Sequence, residues 1–198
     1  MSAAPLPPLP PVPGVPDDEL EPAGPSMIEL LEEEHRRLGR LCLRAATEPA
    51  ASDVLVATLA RHISTEEQYL YPTVASVLPE GPQLAERELA ADTELLVALR
   101  RLHDATDEAA LATVTEHVRA HARRTGTELF PALRERCTGP ELVRLGNRVE
   151  IARSAAPTRP HPATPSTPPL NKVVDPALGV VDKVRDALSR RTTWEEDL

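Results

Sequence analysis

The chain has 198 residues, a formal net charge of -9 and only 2% aromatic residues, with lysine at Lys172 and Lys183 alone. So acidic a chain, with so few rings to stack on bases, is unsuited to binding nucleic acid. No stretch approaches the ~18 apolar residues of a membrane span, and the N-terminus lacks the basic and apolar regions of a secretory signal, so a cytoplasmic protein is expected.

Nine prolines fall within residues 1–25, which therefore read as a disordered, polyproline-rich tail. Ser26-Met-Ile-Glu29 has the form of a capping box opening a first helix. Ile28, Leu31, Leu38, Cys42 and Ala45 make its apolar stripe, which His35 interrupts from the inside. Glu32, Glu33, Glu34, Arg36, Arg37 and Arg40 flank the stripe as a solvated face. A second helix, capped by Ser52-Asp53, places Leu55, Leu59, His62, Glu66 and Tyr69 on one face, and Pro72 is expected to kink or end it. After the break at Pro79-Glu-Gly-Pro82, a third helix carries Leu89, Asp92, Leu96, Leu99 and His103 on one face, with Leu95 and Leu102 beside them and Asp92 where a core leucine would otherwise stand. A fourth carries Leu111, Val114, Val118, His121 and Thr125, and Pro131 repeats the kink of the second. A short helix restarts at Thr138-Gly-Pro140 with Leu142, Leu145, Val149 and Ile151. The pattern predicts an all-α, up-down four-helix bundle over 26–153, then a Pro-rich linker over 154–175. Residues 176–198 follow as a short amphipathic helix with an acidic end. Cys42 and Cys137 form no short-spaced motif and are expected as reduced thiols.

The strongest signal is internal duplication. His62-Ile-Ser-Thr-Glu-Glu-Gln-Tyr-Leu-Tyr-Pro72 returns as His121-Ala-Arg-Arg-Thr-Gly-Thr-Glu-Leu-Phe-Pro131. In the first copy, His62 and Glu66 lie four apart and so share one helix face; in the second, Thr125 replaces the glutamate. His35 and Asp92 precede the two histidines by 27 and 29 residues, so each half offers one inward polar residue followed by a pair. Polar groups in an apolar stripe cost several kcal/mol unless partnered. A shared metal ion would partner them all, since bundle cores are where histidines and carboxylates of facing helices assemble metal sites, and imidazole suits iron, copper, zinc and nickel. Glu88 and His117, each one turn before a candidate ligand, could enter in a shifted register, though both positions also suit an exposed flank. There is no nucleophile elbow, phosphate-cradling loop or Cys-x-x-Cys zinc spacing.

Over about residues 27–137 the chain resembles the hemerythrin-like, or HHE cation-binding, family. The resemblance rests on His35 after an acidic run, on His62-x-x-x-Glu66 leading to Leu-Tyr-Pro, and on His121 leading to Leu-Phe-Pro. It implies a bundle holding non-haem iron that meets dioxygen, nitric oxide or peroxide. It places His35, His62, Glu66 and His121 at ligand positions. Asp92 stands where the family offers a histidine and Thr125 where it offers the second carboxylate. The metal set expected is His35, His62, Glu66, Asp92 and His121, holding two irons, one metal or none. The activity implied is small-molecule binding or sensing, with slow peroxide or nitric oxide turnover at most. The rival is a metal-free bundle acting as a scaffold, with the Pro-rich tails as docking sites for a protein partner.

Overall fold

A computed structural model of the protein describes residues 22–104, 108–159 and 192–198. Every regular element in them is helical. The first, α1 (Met27–Ala45), opens on the expected capping box: the Ser26 hydroxyl accepts from the Glu29 amide at 3.2 Å, and the Glu29 carboxylate accepts from the Ser26 amide at 2.8 Å. That reciprocal pair satisfies two amides that the helix itself cannot. Proline at its first position starts α2 (Pro49–Thr65), which passes through a π-turn (Glu66–Leu70) into α3 (Tyr71–Val77). The next helices are α4 (Gly81–Asp104) and α5 (Glu108–Arg124); the latter passes through a second π-turn (Thr125–Leu129) into α6 (Phe130–Arg136). The last long helix, α7 (Gly139–Ala155), has its own capping box between Thr138 and Glu141.

The duplication read from the motif is thus a duplication of architecture. In both long arms an α-helix runs into 5 residues of π-turn and then 7 of α-helix. In each, the ligand-type histidine lies in the last turn before the π-turn and the proline one residue after the following helix begins. The prolines do not end the arms. The backbone amides of Tyr71 and Phe130 reach back five residues to the carbonyls of Glu66 and Thr125, widening the helix just ahead of the ring that would otherwise clash with it.

Packing α1 against α2 and α5, and α4 against α2, α3 and α5, closes the four-helix bundle, while α7 lies outside it against α1 and α2. The core divides in two. One cluster gathers Leu38, Leu41, Leu55, Leu59, Ile63, Leu95, Leu99, Leu102 and Val118. The other gathers Met27, Ile28, Leu31, Leu70, Tyr71, Val74, Leu129, Phe130 and Leu133, with Leu145 and Val149 of α7. Between them lies a layer of buried polar residues.

Some expected faces are rotated. On α4 the buried line is Glu88, Asp92, Leu95, Leu99 and Leu102, with Leu89 and Leu96 at its margin. Ile151, expected in the α7 stripe, is 67% exposed, because the stripe of Leu142, Leu145 and Val149 has turned past it. The amphipathic segment 176–191 lies outside the described residues, and Glu195–Asp197 form one 3-10 turn. Cys42 and Cys137 are free and buried.

Two glycines test this packing in opposite directions. A Cβ on Gly146 would strike the Pro25 carbonyl and lie 2.9 Å from the Met27 amide nitrogen, both backbone atoms, so α7 approaches the start of α1 closely only without a side chain. Around Gly39 on α1 nothing lies within 4 Å of a Cβ. Thermal and denaturant unfolding should therefore show Gly146→Ala destabilised by about 1–3 kcal/mol, the usual effect of overpacking. Gly39→Ala should be stabilised by about 0.5–1 kcal/mol through lower unfolded-chain entropy.

Candidate metal centre

The polar layer brings together one histidine from each of α1, α2 and α5, with a glutamate from the first π-turn. His35, His62, Glu66 and His121 are all buried, and one ligating atom from each lies within 4.8 Å of the others. The three Nε2 atoms stand 3.1 Å (His35–His62), 3.1 Å (His35–His121) and 3.4 Å (His62–His121) apart. Glu66 faces them with both oxygens: Oε1 is 3.4 Å from His62 Nε2 and 3.6 Å from His35 Nε2, and Oε2 is 3.1 Å from His121 Nε2.

This geometry follows from the local folding. The four-residue spacing of His62 and Glu66 stacks them on one face. The π-turn begins at Glu66, and π-turns inside α-helices are frequent at functional sites. The His35 ring is held by stacking on Phe130, at 5.7 Å between centroids and 12° between planes. His62 is held by a hydrogen bond. Its Nδ1–H donates to Glu34 Oε2 at 3.0 Å, and because a carboxylate only accepts, the Nε2 lone pair is left pointing into the cluster. Arg153 of α7 secures the other oxygen of Glu34 at 2.9 Å. An oriented imidazole backed by a carboxylate is the usual support of a metal-bound histidine.

The remaining sequence candidates surround this set. Asp92 is buried, and its Oδ1 lies 3.9 Å from His121 Nδ1, on the side of that ring away from the cluster. Its Oδ2 accepts from the Tyr71 hydroxyl at 2.6 Å, and the same hydroxyl is 3.0 Å from Glu66 Oε2. With one phenolic proton, Tyr71 donates to one of these carboxylates at a time. Thr125 is buried too, but its hydroxyl turns back to the His121 carbonyl at 3.0 Å. His117 stays at the half-buried margin of α5, outside the cluster. Glu88 is not the exposed flank residue expected: it is fully buried, 3.0 Å from Arg124 and 2.8 Å from Arg87.

Three residues that matter here were not singled out from the sequence. Glu34 belongs by its sequence pattern to the solvated face, yet it is only 3% exposed. Its signal was the gap between Leu31 and Leu38 in the α1 stripe, which a residue at either 34 or 35 can fill. Arg153 gave none, since it arrives from a helix 119 positions away in the chain. Tyr71 was visible as the one hydroxyl that distinguishes Leu-Tyr-Pro from Leu-Phe-Pro.

Burial and the charge of Glu66 set the protonation of the layer. Burial pushes His35 down to about 4, helped by the neighbouring His62 and His121, so this ring is neutral at pH 7 although Glu66 counteracts the effect. Burial also opposes charge on His121, but the Glu66 carboxylate, with Asp92 and Glu88 beyond it, outweighs burial and lifts that ring to about 9. Burial would raise Glu66, yet the charges of His121 and His62 hold it well below the usual carboxylate range. Asp92 is pushed up to about 7 by burial and by the charge of Glu66. The layer thus gathers positive charge against Glu66 with protons alone.

The donor set fits a metal ion. Nitrogens bound to one cation at about 2.0–2.1 Å, at tetrahedral or octahedral angles, lie about 3–3.4 Å from each other, which is the spacing found here. Glu66 Oε1 and His121 Nδ1 are buried without a hydrogen-bond partner, and an ion would supply one to the former. The hemerythrin HHE cation binding domain family matches residues 26–133, more than half of the chain. The chain belongs to that family. An uncharacterized hemerythrin-like protein of Schizosaccharomyces pombe is 26% identical over 138 residues, covering 67% of this chain and 68% of its own length. No solved structure matches the chain significantly. The all-α bundle and a His/Glu group able to hold a metal therefore agree with the family assignment.

If Glu34 sets the His62 tautomer, Glu34→Ala should weaken metal binding about 10–100-fold in chelator competition. Its exposed neighbour provides the control: Glu33→Ala should leave affinity unchanged. Equal affinities for the two variants would remove Glu34 from the site.

Proposed function

We propose that this protein holds one iron ion on His35, His62, Glu66 and His121 and uses it to bind or sense a small oxidant or diatomic molecule, such as dioxygen, nitric oxide or peroxide. The observation that carries the reading is the meeting of three imidazole Nε2 atoms and a carboxylate in a layer closed above and below by apolar clusters. Imidazole with carboxylate is a donor set that suits iron. When bound, the ion would supply an open coordination position and a reversible one-electron change. The chain's own residues do the rest. His62 is oriented through Glu34, His35 through Phe130, and the leucine-rich clusters keep water from the layer.

A single ion is favoured over two by what occupies the second half. The Thr125 hydroxyl is committed to its own backbone, and the Tyr71 phenol lies between Glu66 and Asp92, where a second ion would need both carboxylates. In this reading Asp92 acts on the site through Tyr71 and His121 rather than as a direct ligand. The fully buried Tyr71 is a neutral donor, because burial, reinforced by Asp92 and Glu66, raises its hydroxyl well above the usual tyrosine range.

Protein loaded with ferrous iron under anaerobic conditions should retain about one iron per chain after desalting, since His35, His62, Glu66 and His121 converge on one point. It should also show a visible absorption change that saturates at one nitric oxide per iron. His62→Ala and Glu66→Ala should retain less than about a tenth of the iron. Thr125→Val should retain all of it. A content near two irons would overturn the single-ion assignment, and full retention by the His62 and Glu66 variants would favour a metal-free scaffold.

A further inference from the structure

The last seven residues, 192–198, return to the bundle at a place separate from the metal layer. There α1 and α2 present three arginines. Arg61 of α2 is only 2% exposed. Its Nη2 donates to the Thr193 carbonyl at 2.7 Å, and its guanidinium carbon lies 4.0 Å from the centroid of the Trp194 ring. On α1, Arg37 Nε donates to Glu195 Oε2 at 2.8 Å, and Arg44 Nη1 lies 3.6 Å from Glu195 Oε1. Arg37 and Arg44 are seven residues apart, two turns along one helix face, so a single carboxylate can engage both.

Each contact reads a different chemical feature. The buried guanidinium attracts the tryptophan face, its Nη2 donates to a main-chain carbonyl, and the α1 pair takes a carboxylate. Together they specify a carbonyl, an aromatic ring and an acid on consecutive residues, here Thr193, Trp194 and Glu195. A buried arginine is costly unless its charge and donors are engaged, and the tail engages all three arginines while Trp194 stays 37% exposed. Residues 160–191 separate Arg159 from Thr192 in the sequence, more than enough chain to cross a small bundle. The tail is therefore a ligand carried on the same chain as its notch.

We infer that the notch formed by Arg37, Arg44 and Arg61 is a recognition site for an acidic, tryptophan-bearing peptide, and that its resident occupant is this chain's own C-terminal segment. The site is independent of the metal reading: no residue in it belongs to the proposed ligand set, and its test needs no metal. Any partner protein using it must carry the same succession of groups and displace the tail.

Trp194 is the chain's only tryptophan, so its fluorescence reports on the notch without ambiguity. In the full-length protein its emission should be blue-shifted, and acrylamide quenching at least twofold slower, relative to a synthetic peptide of residues 192–198. Arg61→Lys, which keeps the charge but loses the planar fork, should remove most of that protection, and Arg37→Glu should weaken it. Combining Arg37→Glu with Glu195→Arg should restore it, a rescue that a merely unfolded variant would not give. A labelled copy of the peptide should bind the full-length Trp194→Ala/Glu195→Lys variant at least tenfold more tightly than the intact protein. Solvent-like emission in the intact protein, or failure of the emptied notch to bind the peptide, would overturn the inference. Protection that grows with protein concentration would make the occupant a second copy and overturn the assignment within one chain.

Discussion

The structure depends on a constraint rarely tolerated in a core: three imidazoles and a carboxylate face one another while almost fully buried. Buried alone, any of these groups would cost several kcal/mol. Together they cost less, because Glu66 offsets charge on His121 and His62, but Nε2 atoms 3.1 Å apart still need a proton or a metal between their lone pairs. The apolar clusters on either side make the need acute by keeping solvent from supplying a partner. Every element of the bundle is placed so that the layer closes: α1, α2 and α5 each contribute a ring, and α4 faces the back of His121 with Asp92.

Support for that layer comes from outside the bundle as well as within it. Arg153 on α7 holds Glu34, which holds His62. The closest approach of α7 is made at Gly146, beside the residues that begin α1. Burial would push the Glu34 carboxyl upward, but His62 and Arg153 outweigh it and keep Glu34 ionised below the usual range. The fifth long helix is therefore tied electrostatically to the donor set, although it supplies no donor itself.

How much of this was legible beforehand differs from residue to residue. The bundle and the four converging residues were readable because both leave periodic traces: apolar positions at helical spacing, and a histidine ten residues before a proline, twice. Glu34 was lost because an acidic run looks like a solvated face, and only the packing of α7 reveals that one member of the run points inward. Glu88 was misjudged for the opposite reason. One of several carboxylates on α4, it reads as exposed until Arg124, contributed by another helix, is seen to pair with it beside Arg87. The π-turns left no trace beyond the prolines, since a slip in the hydrogen-bond ladder is a property of the backbone and many side-chain patterns are compatible with it.

Those π-turns set the phase of each arm. An ordinary helix advances about 100° per residue, so the one residue added in a wider turn rotates everything beyond it by about that amount relative to an uninterrupted helix. In the first arm, Leu55, Leu59 and Ile63 ahead of the π-turn pack into the first apolar cluster, the upper core, whereas Leu70, Tyr71 and Val74 pack into the second, the lower core. The second arm repeats this with Val114 and Val118 above and Leu129, Phe130 and Leu133 below. The polar layer is thus the seam between two differently indexed helical stripes. Deleting one residue there would leave the chain able to align its ligands or its lower core, but not both. A duplicated seam of this kind can lose a side chain, as at Thr125, without losing its geometry.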